Sequence, residues 1–192
     1  MQPAYTLPED QYMMPVGPLM IEHRLIERMI AVMKVTCVRM NEQGKADLAF
    51  IDMAVDFIRT YADRTHHGKE EDILFRDLAK KPLTPDLSKT IRELVQEHIH
   101  GRECVRRLVS ARDSCAHGST DVLRDILAAL DELVQFYPKH IEKEDRHFFL
   151  PCMEFLTRQE QAKMLNEMEE FDRKMIHEKY RKVVEGLEVR PA

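Results

Sequence analysis

Apolar residues recur along almost the whole chain at the three- and four-residue spacing of helices, with only six glycines among 192 residues. Punctuation divides the pattern into five helices. The first is expected from about Pro18 to Met40, stopped near Asn41 and Gly44. The second runs from about Lys45 to Lys80, with a loosening at Gly68. The segment KPLTPD breaks it, and Thr84-Pro85 reads as an N-cap followed by proline at the first helical position. The third covers about Pro85 to Ala116, and Gly118 with Ser119 or Thr120 marks a stop and a new start. The fourth runs from about Asp121 to Phe149 and ends at Pro151. Thr157-x-x-Glu160 is a capping box that opens the fifth, from Arg158 to about Leu187.

No segment alternates as a strand does. Short connections place consecutive helices side by side. The expected fold is therefore all-α, an up-down-up-down four-helix bundle with an additional C-terminal helix. Residues 1–17 read as a proline-containing N-terminal tail. Residues 18–187 read as one helical domain, with a four-helix core over about 18–150 and the last helix over about 158–187. A chain of 192 residues is long enough for one domain with a real core.

Charge narrows the function classes. Charged residues make up 33% of the chain, mixed in sign, with a net charge of -5. No basic stripe suits a nucleic acid, and no apolar run approaches the ~18 residues of a membrane span. The N-terminus lacks the basic-then-apolar order of a secretory signal. Cys37, Cys104, Cys115 and Cys152 form no CxxC pair, which fits free thiols in a reducing cytoplasm.

The chemistry lies in a duplication. His66 to Phe75 reads HHGKEEDILF, and His140 to Phe149, 74 positions later, reads HIEKEDRHFF. Lys69 aligns with Lys143, Glu70 with Glu144, and Glu71 with Asp145. Each stretch contains His-x-x-x-Glu, which sets an imidazole and a carboxylate on adjacent turns of one helix face. His23 and His98 extend the repeat, 75 residues apart and each directly after a glutamate.

Helix lengths bring the four histidines to one level. His23 is about 18 residues, or ~27 Å, from the end of its helix, and His66 about 21 residues, or ~31 Å, into the next. The legs from His66 and His98 to their common turn are ~21 and ~20 Å. At 100° per residue, His23 shares a stripe with Ile26, Ile30 and Cys37, and His66 with Ile51, Val55, Ile58 and Ala62. His98 shares one with Ile91, Leu94, Val105 and Val109, and His140 with Ile126, Leu133 and Phe136. Glu70 and Glu144 lie one turn further along. Burying two such carboxylates without a cation is costly, and a metal removes that penalty. Imidazole with carboxylate suits iron, manganese or zinc. Six ligands exceed what a single zinc needs. The expected cofactor is two iron ions, an oxo- or hydroxo-bridged di-iron centre.

At these residues the chain resembles the hemerythrin-like, or HHE cation-binding, family. The resemblance covers roughly Pro18 to Met153, through Glu22-His23, HHGKEEDILF, EHIHGR at 97–102 and HIEKEDRHFFLP at 140–151. It implies a di-iron centre within a four-helix bundle. His23, His66, His98 and His140 would then be terminal ligands, and Glu70 and Glu144 bridges. Oxygen-carrying members have a second histidine four residues after the helix-three ligand, where this chain has Arg102. That leaves the four-histidine, two-glutamate form, also associated with iron sensing and repair of nitric-oxide-damaged iron centres.

Other residues compete for roles. His67, about 100° round the helix from His66, is an alternative to it. His147 shares the face of His140 and Glu144 and stands as an extra ligand or a second-layer donor. Glu97-x-x-His100 and Glu144-x-x-His147 would form a ferritin-like set, but His100 points about 160° away from His98. At α-helical phase His67 and His100 face away from the apolar stripes. Tyr61 and Tyr137 read as core packing, His177 as exposed or structural. Met164, Met168, Phe171 and Met175 form a stripe with which the fifth helix covers the bundle or a partner. The expected function is a non-haem di-iron protein that binds dioxygen or another small oxidant for sensing or storage. The alternative is iron handling, nitric oxide or peroxide response, or repair of iron–sulfur centres. Neither an enzymatic role nor an oligomeric state is fixed by the pattern.

Overall fold

The structure is a computed structural model that describes residues 14–117 and 122–188, with side chains as far as Met175 and again at Lys179. Most of the expected tail (residues 1–13), the turn at Gly118 to Thr120 and the side chain of His177 lie outside the described residues. Among the described residues every regular element is helical. Helix α1 spans Val16–Gln43. Helix α2 covers residues 48–78 and α4 residues 123–153, each running continuously through segments of α- and π-helix. Helix α3 spans Pro85–Ala116 and α5 spans Arg158–Glu188.

Local chemistry sets the ends. Gly44 adopts the left-handed conformation, with φ 61°, and its N–H and that of Lys45 return to the carbonyls of Asn41 and Met40. The Asp47 carboxylate accepts from the Phe50 N–H at 3.0 Å and opens α2. Thr84 Oγ1 accepts from the Leu87 N–H at 3.2 Å ahead of α3. Thr157 and Glu160 form the reciprocal pair of a capping box, at 2.9 and 3.3 Å. Gly68 does not loosen α2, since its φ of -60° and ψ of -42° are helical.

Cross-helix pairs run in opposite numerical order, so neighbours are antiparallel. Asp52 meets Arg112 and Asp63 meets Arg102 between α2 and α3. Glu132 meets Arg107 and Lys143 meets Glu97 between α4 and α3. The ring closes where α4 returns to α1, through Asp145 with His23 and the Leu127 carbonyl with Cys37.

The core divides into two apolar layers. One, at the α1–α2 turn, is built on Ile30, Met33, Ile51, Leu108, Ile126 and Leu130. The other, at the α2–α3 turn, is built on Leu19, Leu74, Leu78, Phe148 and Phe149, and α5 closes it with Met164 and Met168. Phe171 lies over Gly68, where an added Cβ would come within 2.9 Å of the ring. The four cysteines are free thiols. No helix among the described residues is long and apolar enough to cross a membrane.

Candidate metal centre

Between the two apolar layers the bundle axis carries a polar one. It holds His23 from α1, His66, His67 and Glu70 from α2, His98 from α3, and His140 and Glu144 from α4. None of these side chains is more than 2% exposed. All six residues singled out above therefore meet at the axis, and His67 joins them.

The local backbone explains the addition. Ile58–His67, Glu70–Phe75 and Glu144–Phe148 are π-helical. The i→i+5 bond widens the turn, so each residue advances by less than the 100° of an α-helix. His66 and its neighbour His67 consequently both face inward, against the α-helical phase. The same widening near Glu144 leaves His147, a candidate for an extra ligand or outer donor, exposed and away from the centre. His100 is exposed, as its phase predicts.

The two glutamates each divide their oxygens between two imidazole pairs. Glu70 Oε1 lies 3.6 Å from His66 Nε2, and Oε2 3.4 Å from His98 Nε2. Glu144 Oε2 lies 3.1 Å from His23 Nε2, and Oε1 3.3 Å from His140 Nε2. None of these four oxygens has a hydrogen-bond partner, nor do His98 Nε2 and His140 Nε2. The Nε2 atoms of His23 and His66 face each other at 2.8 Å.

A second layer orients the four imidazoles. The Nδ1 of His66 bonds Glu22 at 2.8 Å and that of His140 bonds Glu97 at 2.8 Å. The Nδ1 of His23 bonds Asp145 and that of His98 bonds Glu71, both at 2.7 Å. With Nδ1 so engaged, Nε2 is left to face the axis. Each outer carboxylate is held in turn by a cation: Lys69 on Glu22, Lys143 on Glu97, Arg24 on Asp145 and Arg102 on Glu71. Lys69 is fully buried, and its ammonium also donates to Asp172 of α5 at 2.9 Å.

These outer residues were passed over as functional in the sequence, although the repeat displayed them. Glu22 and Glu97 each precede an equivalent histidine, and Glu71 aligns with Asp145. The glutamates before His23 and His98 serve the other histidine of the same helix pair. The acids after Glu70 and Glu144 serve a histidine of the opposite pair.

With no cation counted, the layer is electrostatically unfavourable. Burial pushes the Glu70 and Glu144 carboxyls well above the usual range, and the charge of Glu70 adds to the rise at Glu144. Burial holds His66 and His67 well below the usual imidazole range and brings His140 down to about 4. Glu22 is pushed up to about 7 by burial, against the pull of Lys69. Burial also works to raise Glu97, but bonds to His140 and Lys143 outweigh it and bring it to about 2. A divalent cation reverses this balance, giving the unpartnered oxygens and nitrogens a ligand and the carboxylates a counter-charge.

Two buried groups are compact enough for an ion. The ligand atoms of His23, His66, Glu70 and Glu144 lie within 4.8 Å of one another, as do those of His67, His98 and His140. A third group joins the exposed His100 and half-buried Glu132 to the buried Cys104, and Arg107 already contacts both Cys104 and Glu132.

A bundle of antiparallel helices with paired His-x-x-x-Glu stretches meeting at its axis defines a class of helical cation-binding protein. The Hemerythrin HHE cation binding domain matches residues 14–150, and the chain belongs to that family. Searches of curated proteins and of solved structures returned no match.

Proposed function

We propose that the chain holds two iron ions, with His23, His66, His98 and His140 as terminal ligands and Glu70 and Glu144 as bridges, and that it binds dioxygen or a related small oxidant for sensing or storage. The observation that carries this reading is the division of each glutamate. One oxygen of Glu70 faces an imidazole of the α1–α2 pair and the other an imidazole of the α3–α4 pair, and Glu144 repeats the arrangement. An ion beside each imidazole pair would give all four buried carboxylate oxygens a ligand.

Iron supplies reversible one-electron chemistry and affinity for dioxygen. The chain's residues hold and isolate it. Imidazole and carboxylate favour iron over ions that prefer thiolate, and the nearest cysteines lie outside the layer. The apolar layers on both sides keep bulk water from the centre.

The test is anaerobic reconstitution with ferrous iron, metal analysis, and stopped-flow absorption on mixing with dioxygen. Two irons per chain and a spectral change that reverses when dioxygen is removed are expected. Fast irreversible oxidation with consumption of peroxide or nitric oxide would replace this reading with an enzymatic one. A single tightly held zinc would make the centre structural.

A further inference from the structure

We propose that His100, Cys104 and Glu132 form a second metal site, a zinc site in the groove between α3 and α4, separate from the axial layer.

His100 and Cys104 stand four residues apart on α3, so both project from one face of that helix. Glu132 reaches the same point from α4, and ligand atoms of all three lie within 4.8 Å of one another. Cys104 is fully buried, while His100 is exposed and Glu132 half-buried. The His100 Nε2 lies 3.5 Å from Cys104 Sγ and 3.3 Å from Glu132 Oε1. Zinc bonds are about 2.3 Å to sulfur and about 2.0 Å to nitrogen or oxygen. At tetrahedral angles such bonds set sulfur about 3.5 Å from nitrogen, and nitrogen about 3.3 Å from oxygen. The three side chains therefore already stand along two edges of a zinc tetrahedron.

The donor set suits the ion. Imidazole with thiolate favours zinc, and three protein ligands leave a fourth position for water. That water would come from a groove of about 430 Å³ lined by His100, Glu132, Gln96, Gln135 and Lys139. Without an ion the thiol keeps its proton, because burial and Glu132 push it up to about 11. Zinc would displace that proton to solvent as the sulfur–metal bond forms.

Arg107 leaves room for this. Its guanidinium donates to Cys104 Sγ at 3.2 Å and to Glu132 Oε2 at 2.6 Å, so Oε1 remains to face His100. A zinc ion with one thiolate and one carboxylate carries no net charge, so the guanidinium is not set against a net positive one. Phe136 divides the group from the axis. Its ring meets His100 edge-on, with centroids 5.4 Å apart, and stacks on His140 at 5.3 Å.

The sulfur makes the site distinguishable, since the ligands assigned at the axis are nitrogen and oxygen alone. The competing role is a hydrogen-bonded cluster in which Arg107 ties Cys104 to Glu132 without metal. Titration of the reduced full chain with cobalt(II) separates the two. Thiolate-to-cobalt charge transfer absorbs in the near-ultraviolet, and cobalt held by imidazole and carboxylate lacks that band. One sulfur-bound cobalt per chain is expected, displaced when zinc is added. Cys104→Ser should abolish the band and Cys115→Ser should keep it. His100→Ala should weaken binding at this site at least about tenfold, since a lost ligand costs no less than a lost outer partner. No band in wild type, a band that survives Cys104→Ser, or unchanged affinity in His100→Ala would overturn the proposal. Where Cys104→Ser fails to fold, His100→Ala decides, because its side chain is at the surface. The result does not depend on how many ions the axial layer holds.

Discussion

His66 and Glu22 are joined across α1 and α2 by a 2.8 Å bond from the imidazole Nδ1–H, and His140 and Glu97 repeat it across α3 and α4 at 2.8 Å. The carboxylate fixes the ring orientation and makes the far nitrogen a better donor to a cation. Glu97→Gln keeps the size of the side chain but removes its charge. It should weaken metal binding by about 10–100-fold without emptying the site. Competition against a chelator of known affinity measures this. Unchanged affinity would show that the outer carboxylates only balance Lys69 and Lys143.

The fifth helix is tied to the same layer from outside. Lys69 donates to both Glu22 and Asp172, and Phe171 lies over Gly68. Gly68→Ala would put its Cβ 2.9 Å from Phe171 Cζ, so the ring or α5 must shift. Overpacking of this kind costs about 1–3 kcal/mol. The expected outcome is a lower melting temperature with faster amide exchange in α5, while metal stoichiometry stays that of wild type. Exchange in α5 matching wild type would mean that the ring swings aside freely.

Much of this was legible in the chain because helices announce their ends. Gly44, Thr84-Pro85 and Thr157-x-x-Glu160 each appear in the structure as the cap their residue types imply. The level at which His23, His66, His98 and His140 meet followed from a fixed rise per residue. Rotation was less secure. It assumed 100° per residue, and the π-helical stretches Ile58–His67 and Glu144–Phe148 break that assumption where the chemistry sits. His67 was therefore placed outside and His147 inside, the reverse of what the structure has. The outer carboxylates were visible as repeats, but which histidine each serves depends on how helices neighbour one another. Sequence spacing carries no such information.

Removal of single ligands tests the assignment directly. His66→Ala and His140→Ala each take one imidazole from an opposite half and should sharply reduce retained iron. His100→Ala, on an exposed side chain against Glu132, should retain the wild-type amount. Elemental analysis after gel filtration reads the difference. Equal retention in all three would show that the axial histidines do not ligate.

Metal removal should expose the electrostatic debt of the layer. Binding to the folded state alone adds RT ln(1 + [L]/Kd), about 4 kcal/mol at a thousandfold excess over Kd. Apo protein should therefore melt well below the loaded form near neutral pH. In the apo form the raised carboxyls of Glu70 and Glu144 hold protons at pH values where the unfolded chain, titrating near 4.3, has released them. Where the folded state binds more protons, stability rises as pH falls. Glu22, pushed up to about 7, acts in the same direction. His66, His67 and His140 act oppositely, because burial keeps them neutral while the unfolded chain takes up protons near 6.5. Apo stability should thus climb as pH is lowered toward about 6.5 and stop climbing below it, where the two sets of protons offset each other. Glu70→Gln with Glu144→Gln should bind no iron, melt above apo wild type near neutral pH, and lose most of the climb. Thermal melts of both proteins from weakly acidic to weakly alkaline pH, with and without iron, check each part. Apo wild type as stable as the loaded protein, or a double variant less stable than apo wild type above neutral pH, would mean that the two buried carboxylates carry no such penalty.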